Sequence, residues 1–206
     1  MKKRNILFSS VLGVVLAGGL GYGGVYAINS AQPVKEFRSQ GKSEPFESFE
    51  DMEEKSTLIV IGEKLNQEVP TFLEDGDGGI LGGYTISDVE VKQVIKNTTD
   101  NEMEKRTVIK VLENAASGAI SHGQKVTYSV NGYKLMKESK HYILIMDESS
   151  NDEGVYIPMG AVIGKAPLDG KDGELEIDIN DSDEIQREWI AGAVKKYKAK
   201  AGAAID

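Results

Sequence analysis

Thr57-Leu58-Ile59-Val60-Ile61 is an unbroken β-branched and aliphatic run closed by Gly62, and the longer run Tyr84–Ile95 follows it. A short apolar run bounded by glycine reads as a strand buried on both faces. In Tyr84–Ile95 the apolar residues alternate with polar ones, then change phase between Ile86 and Val89. A one-residue slip turns every following side chain to the other face of a sheet, so the pattern predicts a bulge or a sharp coil within one long strand.

Working outward, Thr107–Leu112 reads as a third strand and Lys125–Val130 as a fourth, with a turn at Asn131-Gly132. Tyr142–Met146 is a strongly apolar fifth strand. Val155–Ile157 is short and meets Pro158, which suggests an edge, because proline cannot donate to a ladder. Leu175–Ile179 alternates and reads as another edge strand. Between the first two runs, Asn66–Gly83 reads as a long glycine-rich loop. A short buried strand, a long bent one and further antiparallel strands suit a mainly β domain, a small antiparallel barrel of oligomer-binding (OB) type. The alternative is an open antiparallel sheet with a helix across one face.

Helices frame this domain. Ser48-Phe49-Glu50-Asp51 resembles a capping box and predicts a short helix to about Lys55, before the first strand. At the other end, Ile185, Trp189, Ala193 and Tyr197 recur every four residues, with Ile190 and Val194 beside them. That stripe predicts a helix over Ser182–Lys200 docked on the domain, with Asp181 and Glu184 as its cap. Lys195, Lys196, Lys198 and Lys200 complement the dipole at its C-terminal end.

The N-terminus has a different character. Lys2, Lys3 and Arg4 precede an uncharged stretch whose apolar part is Ile6–Ile28. Positive charge on this side directs the rest of the chain outward across a membrane. Residues 1–28 are therefore read as a signal peptide cleaved after Ala27 or as a transmembrane anchor through residues 6–28. Residues 29–55 read as a polar tether holding the possible short helix, and residues 56–206 as the extracytoplasmic domain. The expected location is the cell membrane with the domain facing outside, or secretion if the chain is cut.

Composition narrows the function classes. The chain lacks cysteine, which excludes disulfides, thiol catalysis and cysteine-zinc sites. An exported domain without disulfides suggests a bacterial source. Of 24 basic residues three lie at positions 2–4, leaving 21 against 33 acids, a net charge of −12. Such a surface repels phosphate backbones and opposes nucleic-acid binding, as does the low aromatic content.

The candidate constellations are weak. Glu74-Asp75-Gly76-Asp77-Gly78-Gly79 offers alternating carboxylates, but Gly79 falls on the third ligand position of an EF-hand loop and Ile86 on its bidentate acid. The stretch reads as a solvated turn, with Asp75 and Asp77 kept as calcium candidates. Asp169–Glu174 is interrupted by Lys171, and helix capping explains the acids of Asp178–Glu184. His122 and His141 have no partner at a metal spacing. Ser121 beside His122 lacks a nucleophile elbow. No catalytic, metal or cofactor site is expected. Phe72, Leu73, Ile80 and Leu81 in the long loop are a candidate binding lip, or side chains that fold back on the barrel mouth.

Ser56–Gly62 followed by Tyr84–Val91 and Thr107–Leu112 resembles the opening of uncharacterised exported or membrane-anchored proteins of Gram-positive bacteria. Gly132-Tyr133-Lys134-Leu135-Met136-Lys137 and Tyr142–Met146 look like the same group's penultimate strands. Tyr156-x-Pro158-x-Gly160 with Gly164-Lys165 is similar to its closing motif. This resemblance implies fold and location and carries no activity. The strand order is also similar to netrin-like domains and tissue inhibitors of metalloproteinases, which are OB barrels. Those inhibitors act through an N-terminal cysteine that this chain lacks. The sequence thus points to a non-catalytic binding or interaction domain for an envelope protein or ligand. An exported hydrolase with an unrecognised site and a structural accessory subunit of a membrane complex are the alternatives.

Overall fold

The apolar runs become paired strands. The computed structural model describes residues 25–42, 46–77, 79–120, 122–169, 175–178 and 183–202. Its helices are α1 (residues 25–31), α2 (Phe49–Lys55) and α3 (Glu184–Ala201). The strands are β1 (Lys35–Ser39), β2 (Leu58–Gln67), β3 (Thr71–Glu74), β4 (Ile80–Asn97) and β5 (Val108–Glu113). They continue with β6 (Ala115–Ala119), β7 (Lys125–Val130), β8 (His141–Glu148), β9 (Val155–Pro158) and β10 (Lys165–Pro167). The chain divides into two compact units, Met1–Glu36 with Ser117–Thr127 and Phe37–Ala116 with Tyr128–Asp206. The signal peptide or anchor expected over residues 6–28 lies almost wholly outside the described residues. Among those described, no helix is long and apolar enough to cross a membrane.

In the first unit, the Asn29 side-chain amide donates to the His122 carbonyl at 2.9 Å, and Gln124 donates to the Pro33 carbonyl at 3.0 Å. The rest concerns the second unit, which is mainly β. Strands β8, β2, β4, β5 and β9 pair in that order, and β9 returns to β8, so the sheet closes into a ring. All pairings are antiparallel except β5 with β9. One edge of β8 is shared: Tyr142–Leu144 take β10 and Met146–Glu148 take β9. Strands β1, β7 and β6 pair separately in that order. Within the second unit, Asn131 N–H donates to the Ser39 carbonyl there, and Ser39 Oγ shares a 2.6 Å hydrogen bond with Tyr128 OH.

Alternation along the strands divides the core. Leu58, Val60, Val89, Val91, Ile109, Val111, Leu144 and Met146 form one buried cluster inside the ring. Ile59, Ile61, Ile143 and Ile145 point the other way, where Phe49 and Met52 of α2 and Ile190, Ala193 and Tyr197 of α3 cover them. The β2 run is apolar throughout because both its faces are buried. At Gly164 a Cβ would lie 2.4 Å from the Met159 amide nitrogen and 2.5 Å from the Ile145 carbonyl, so only glycine permits the backbones to meet there.

Several elements differ from the sequence expectation. Asn66–Gly83 is not a loop: β3 pairs with the start of β4 to extend the ring as a hairpin, Phe72 opposite Gly83 and Leu73 opposite Gly82. The expected phase change in β4 is absent. Thr85, Ser87, Val89 and Val91 are all fully buried in one continuous alternation. The inward positions merely change from polar to apolar. The expected bulge is present in this strand but further along, where pairing with β2 skips Lys92 and Ile95; Leu65 is skipped on β2. Strand β9 is not an edge, since β5 and β8 flank it, and Pro158 is tolerated at its last residue. Of Leu175–Ile179 the described part makes one bridge, Ile177 to Tyr133.

The helices hold with shifted details. Ser48 caps α2 by accepting from Asp51 N–H at 3.1 Å, and Phe49 and Met52 are buried. The stretch read as tether therefore supplies core residues, and it also forms β1. In α3 the cap is Asp183, in a reciprocal box with Gln186; Asp181 lies outside the described residues. The buried stripe is Ile190, Ala193, Tyr197 and Ala201, while Ile185 is 60% exposed and Trp189 half-buried. The expected stripe therefore docks as predicted except at its first residue, and Trp189 and Val194 pack against the same core.

Candidate functional site

The segment Tyr133–Lys137 is buried or half-buried for most of its length, yet only Tyr133 takes part in a backbone ladder, through a single bridge. Buried backbone N–H and C=O groups need partners. Four side chains supply them from below. Lys64 Nζ donates to the Met136 carbonyl at 2.8 Å, Glu113 Oε2 accepts from the Met136 N–H at 2.6 Å, and Tyr142 OH accepts from the Lys137 N–H at 2.8 Å. Lys165 Nζ donates to the Lys134 carbonyl.

These side chains also satisfy one another. Lys64 and Glu113 are wholly buried and pair at 2.9 Å. The three donors of Lys64 go to Glu113, Met136 and Gln67, the last at 2.7 Å. The Glu113 carboxylate accepts four bonds: from Lys64 and Ser87 on one oxygen, from Tyr133 and Met136 on the other. That fills its lone pairs. Tyr142 donates to Glu176 at 2.8 Å, and Glu176 also meets Lys137 Nζ at 3.1 Å. Among the described residues no buried side-chain nitrogen or oxygen lacks a partner. The inward polar residues Thr85 and Ser87 belong here too, Thr85 donating to the Ala115 carbonyl at 2.9 Å.

Lys165 is the exceptional member. Burial lowers its pKa to about 8, against the attraction of Glu113 and Glu176 and with the repulsion of Lys64 and Lys137. The ammonium lies 4.1 Å from the centre of the Tyr133 ring, a cation–π geometry. Burial, and then the Glu113 charge, holds the Tyr133 phenol protonated well above its ordinary range, and burial does the same for Tyr142. Taken alone, an amine of pKa about 8 beside carboxylates and phenols is a recognisable reactive arrangement. Lys165, however, is 2% exposed and Lys64 wholly buried. In the structure these side chains bond an irregular segment to the ring.

The sequence candidates lie elsewhere. Leu73 and Leu81 on the β3–β4 hairpin are 55% and 70% exposed, while Phe72 and Ile80 are half-buried. Val69 beside them is 89% exposed. A Cβ on Gly82 would come within 3.1 Å of the Leu73 side chain, and one on Gly83 within 3.3 Å of the Phe72 ring, so the facing glycines make room for the apolar side chains. Asp75 closes the hairpin: its Oδ1 accepts from the Asp77 and Gly79 N–H groups, each at 2.9 Å. No group of three or more acids or histidines among the described residues is arranged to hold a metal ion. His141 Nδ1 lies 2.8 Å from Asp169 Oδ2, which also accepts the His141 backbone N–H, and Nε2 is 3.8 Å from Glu63. Ser121 and residues 170–174 lie outside the described residues.

One surface feature was not foreseen. A cleft of about 420 Å³ runs between α2 and α3, lined by Phe49, Glu50, Glu188, Trp189, Gly192 and Lys195–Lys196. Lys196 and the Tyr197 hydroxyl both bind Glu53, which ties the two helices together. The buried cluster was also missed, because its members are scattered from Lys64 to Glu176. The available signal was polar Thr85 and Ser87 in phase with Val89 and Val91. No protein-family model matches the chain, and no curated protein matches it.

Proposed function

We propose that this chain presents a non-catalytic interaction domain outside the cytoplasmic membrane, built on an OB-like barrel. The strand order β2-β4-β5-β9-β8-β2, with β5 and β9 parallel, supports the barrel reading. Residues 6–28 would carry the membrane attachment, and the acidic remainder suits an aqueous exterior without nucleic acid.

The observation that carries the functional reading is the contrast in accessibility. The ionisable groups with the most unusual surroundings, Lys64, Glu113 and Lys165, are enclosed and mutually satisfied. The apolar side chains of Leu73 and Leu81 on the β3–β4 hairpin, and of Val69 just before it, stand in solvent. Clustered exposed apolar residues are typical of protein contact sites. The partner class is an envelope protein or ligand.

Full-length protein displayed on cells tests this by cross-linking from the hairpin. A photo-reactive residue at Leu73 or Leu81 should capture a discrete envelope component, and Leu73→Asp with Leu81→Asp should abolish capture without lowering thermal stability. Capture unaffected by those changes, or turnover of an envelope polymer lost on Lys165→Met with the fold intact, contradicts the reading.

A further inference from the structure

Among the described residues, the outward face of α3 is used within the chain only through Lys196, which binds Glu53. Ile185, Glu188, Gly192, Lys195, Lys196 and Ala199 recur at the three- and four-residue spacing that keeps side chains on one helix face. All six are exposed. They lie opposite the buried stripe of Ile190, Ala193, Tyr197 and Ala201.

Gly192 stands at the middle of this face. A Cβ placed there would meet no atom within 4 Å, and its backbone is in an ordinary helix. Neither steric crowding nor an unusual backbone angle asks for glycine, which weakens a helix relative to alanine. What it does provide is close access to the helix backbone beside the cleft lined by Trp189 and Phe49.

Charge is arranged symmetrically about the same point. Glu188 lies four residues before Gly192 and Lys196 four after; Trp189 lies three before and Lys195 three after. If a second α3 crosses antiparallel at Gly192, each Glu188 faces a Lys196, each Trp189 ring faces a Lys195 ammonium, and each Ile185 covers an Ala199. The two dipoles also oppose. A parallel crossing would set like charges together. A two-fold interface requires this self-complementarity, in which residue i meets j and j meets i. Lys196 binds Glu53 of its own chain yet keeps 42% of its side chain exposed, so it can take a second carboxylate.

We propose that a second copy of this chain docks on the outward face of α3, the two helices crossing antiparallel at Gly192, with Glu188 of each paired to Lys196 of the other. The interface lies on α3 and leaves the β3–β4 hairpin free.

The absence of cysteine makes the test specific. The full chain in detergent micelles, carrying Gly192→Cys, should oxidise to a covalent homodimer, whereas Asp152→Cys on the exposed β8–β9 loop should not. By sedimentation, Glu188→Lys and Lys196→Glu should each weaken self-association about tenfold, equivalent to about 1.4 kcal/mol, and the two together should restore it. Circular dichroism melts check that each variant is folded. A full chain that stays monomeric at about 100 μM overturns the proposal. So does a dimer that ignores both charge reversals or fails to cross-link through Gly192→Cys, which would place self-association elsewhere, such as the N-terminal segment.

Discussion

The interior of the ring has two ends of opposite character. At one, Leu58, Val60, Val91, Ile109, Val111 and Met146 pack without a polar atom among their side chains. At the other, the same strands turn Lys64, Ser87 and Glu113 inward. The difference lies in what covers each end. At the apolar end the strand backbones pair with each other, and Met103 from the β4–β5 loop packs against the cluster by its side chain. The charged end is closed by the irregular segment Tyr133–Lys137, whose backbone groups beyond the Tyr133 bridge have no ladder to join. A buried ion pair is a weak source of net stability, because desolvation offsets its attraction. Here the charges are retained because they give that segment's N–H and C=O groups their partners.

The largest effect should come from breaking the charged end. Glu113→Ala strands Lys64 and removes the acceptor of the Met136 N–H, so chemical denaturation should show a loss of about 3–5 kcal/mol. The double variant Lys64→Met with Glu113→Leu sharpens the comparison. A pair acting only through mutual attraction can be exchanged for apolar side chains at little cost. A pair that holds backbone cannot, because Met136 N–H and C=O and the Ser87 hydroxyl lose partners at about 1–3 kcal/mol each. The double variant should remain at least about 2 kcal/mol below the wild type. Wild-type stability in that variant would sink the backbone-holding role.

Next in size is a pH effect. Lysine's ordinary value is 10.5 and that of folded Lys165 is about 8. Between those values the unfolded chain holds a proton that the folded chain has released. Stability should therefore rise with pH from 8 toward 10.5, by up to about 3 kcal/mol in all. Above pH 10 the raised values of Tyr133, Tyr142 and Tyr197 act the other way, since the folded chain keeps phenolic protons that the unfolded chain loses. Denaturation midpoints across pH 7–11 should pass through a maximum near pH 10. Lys165→Met should remove the rise and leave the fall. A flat profile below pH 10 in the wild type contradicts the depressed value.

The smallest effect belongs to the apolar end. Ile109→Val removes one methylene from a site 5% exposed and should lower stability by about 0.5–1.5 kcal/mol with no dependence on pH. A pH-dependent loss there would mean that the two ends are coupled.

The same contrast explains what could be read from sequence. Strands at the apolar end announce themselves, since inward Val89 and Val91 or Ile109 and Val111 alternate with charged neighbours. At the charged end the rule inverts. Thr85 and Ser87 face inward while Ile86 is only half-buried, and that produced a false change of phase in β4. Hydrophobic pattern alone cannot distinguish a polar residue in water from one bonded to a buried carboxylate 26 positions away. Strands β3, β6 and β10 escaped for a related reason. They are three to five residues long and rich in small or isolated polar groups, so pairing rather than pattern defines them. The caps and spacing made α2 and α3 legible, and of the expected α3 stripe only Ile185 stands away from the core.

The sealed character of the charged end can be measured directly by amine labelling of the native full chain at pH 8, with mass spectrometry locating each modified lysine. With a pKa near 8, Lys165 would be the most reactive lysine in the second unit if reagent could reach it. Enclosure predicts that Lys64 and Lys165 stay unlabelled until the protein unfolds, while exposed Lys140 and Lys195 react at once. Early labelling of Lys165 in the folded chain would contradict a sealed structural cluster and reveal an open, reactive site.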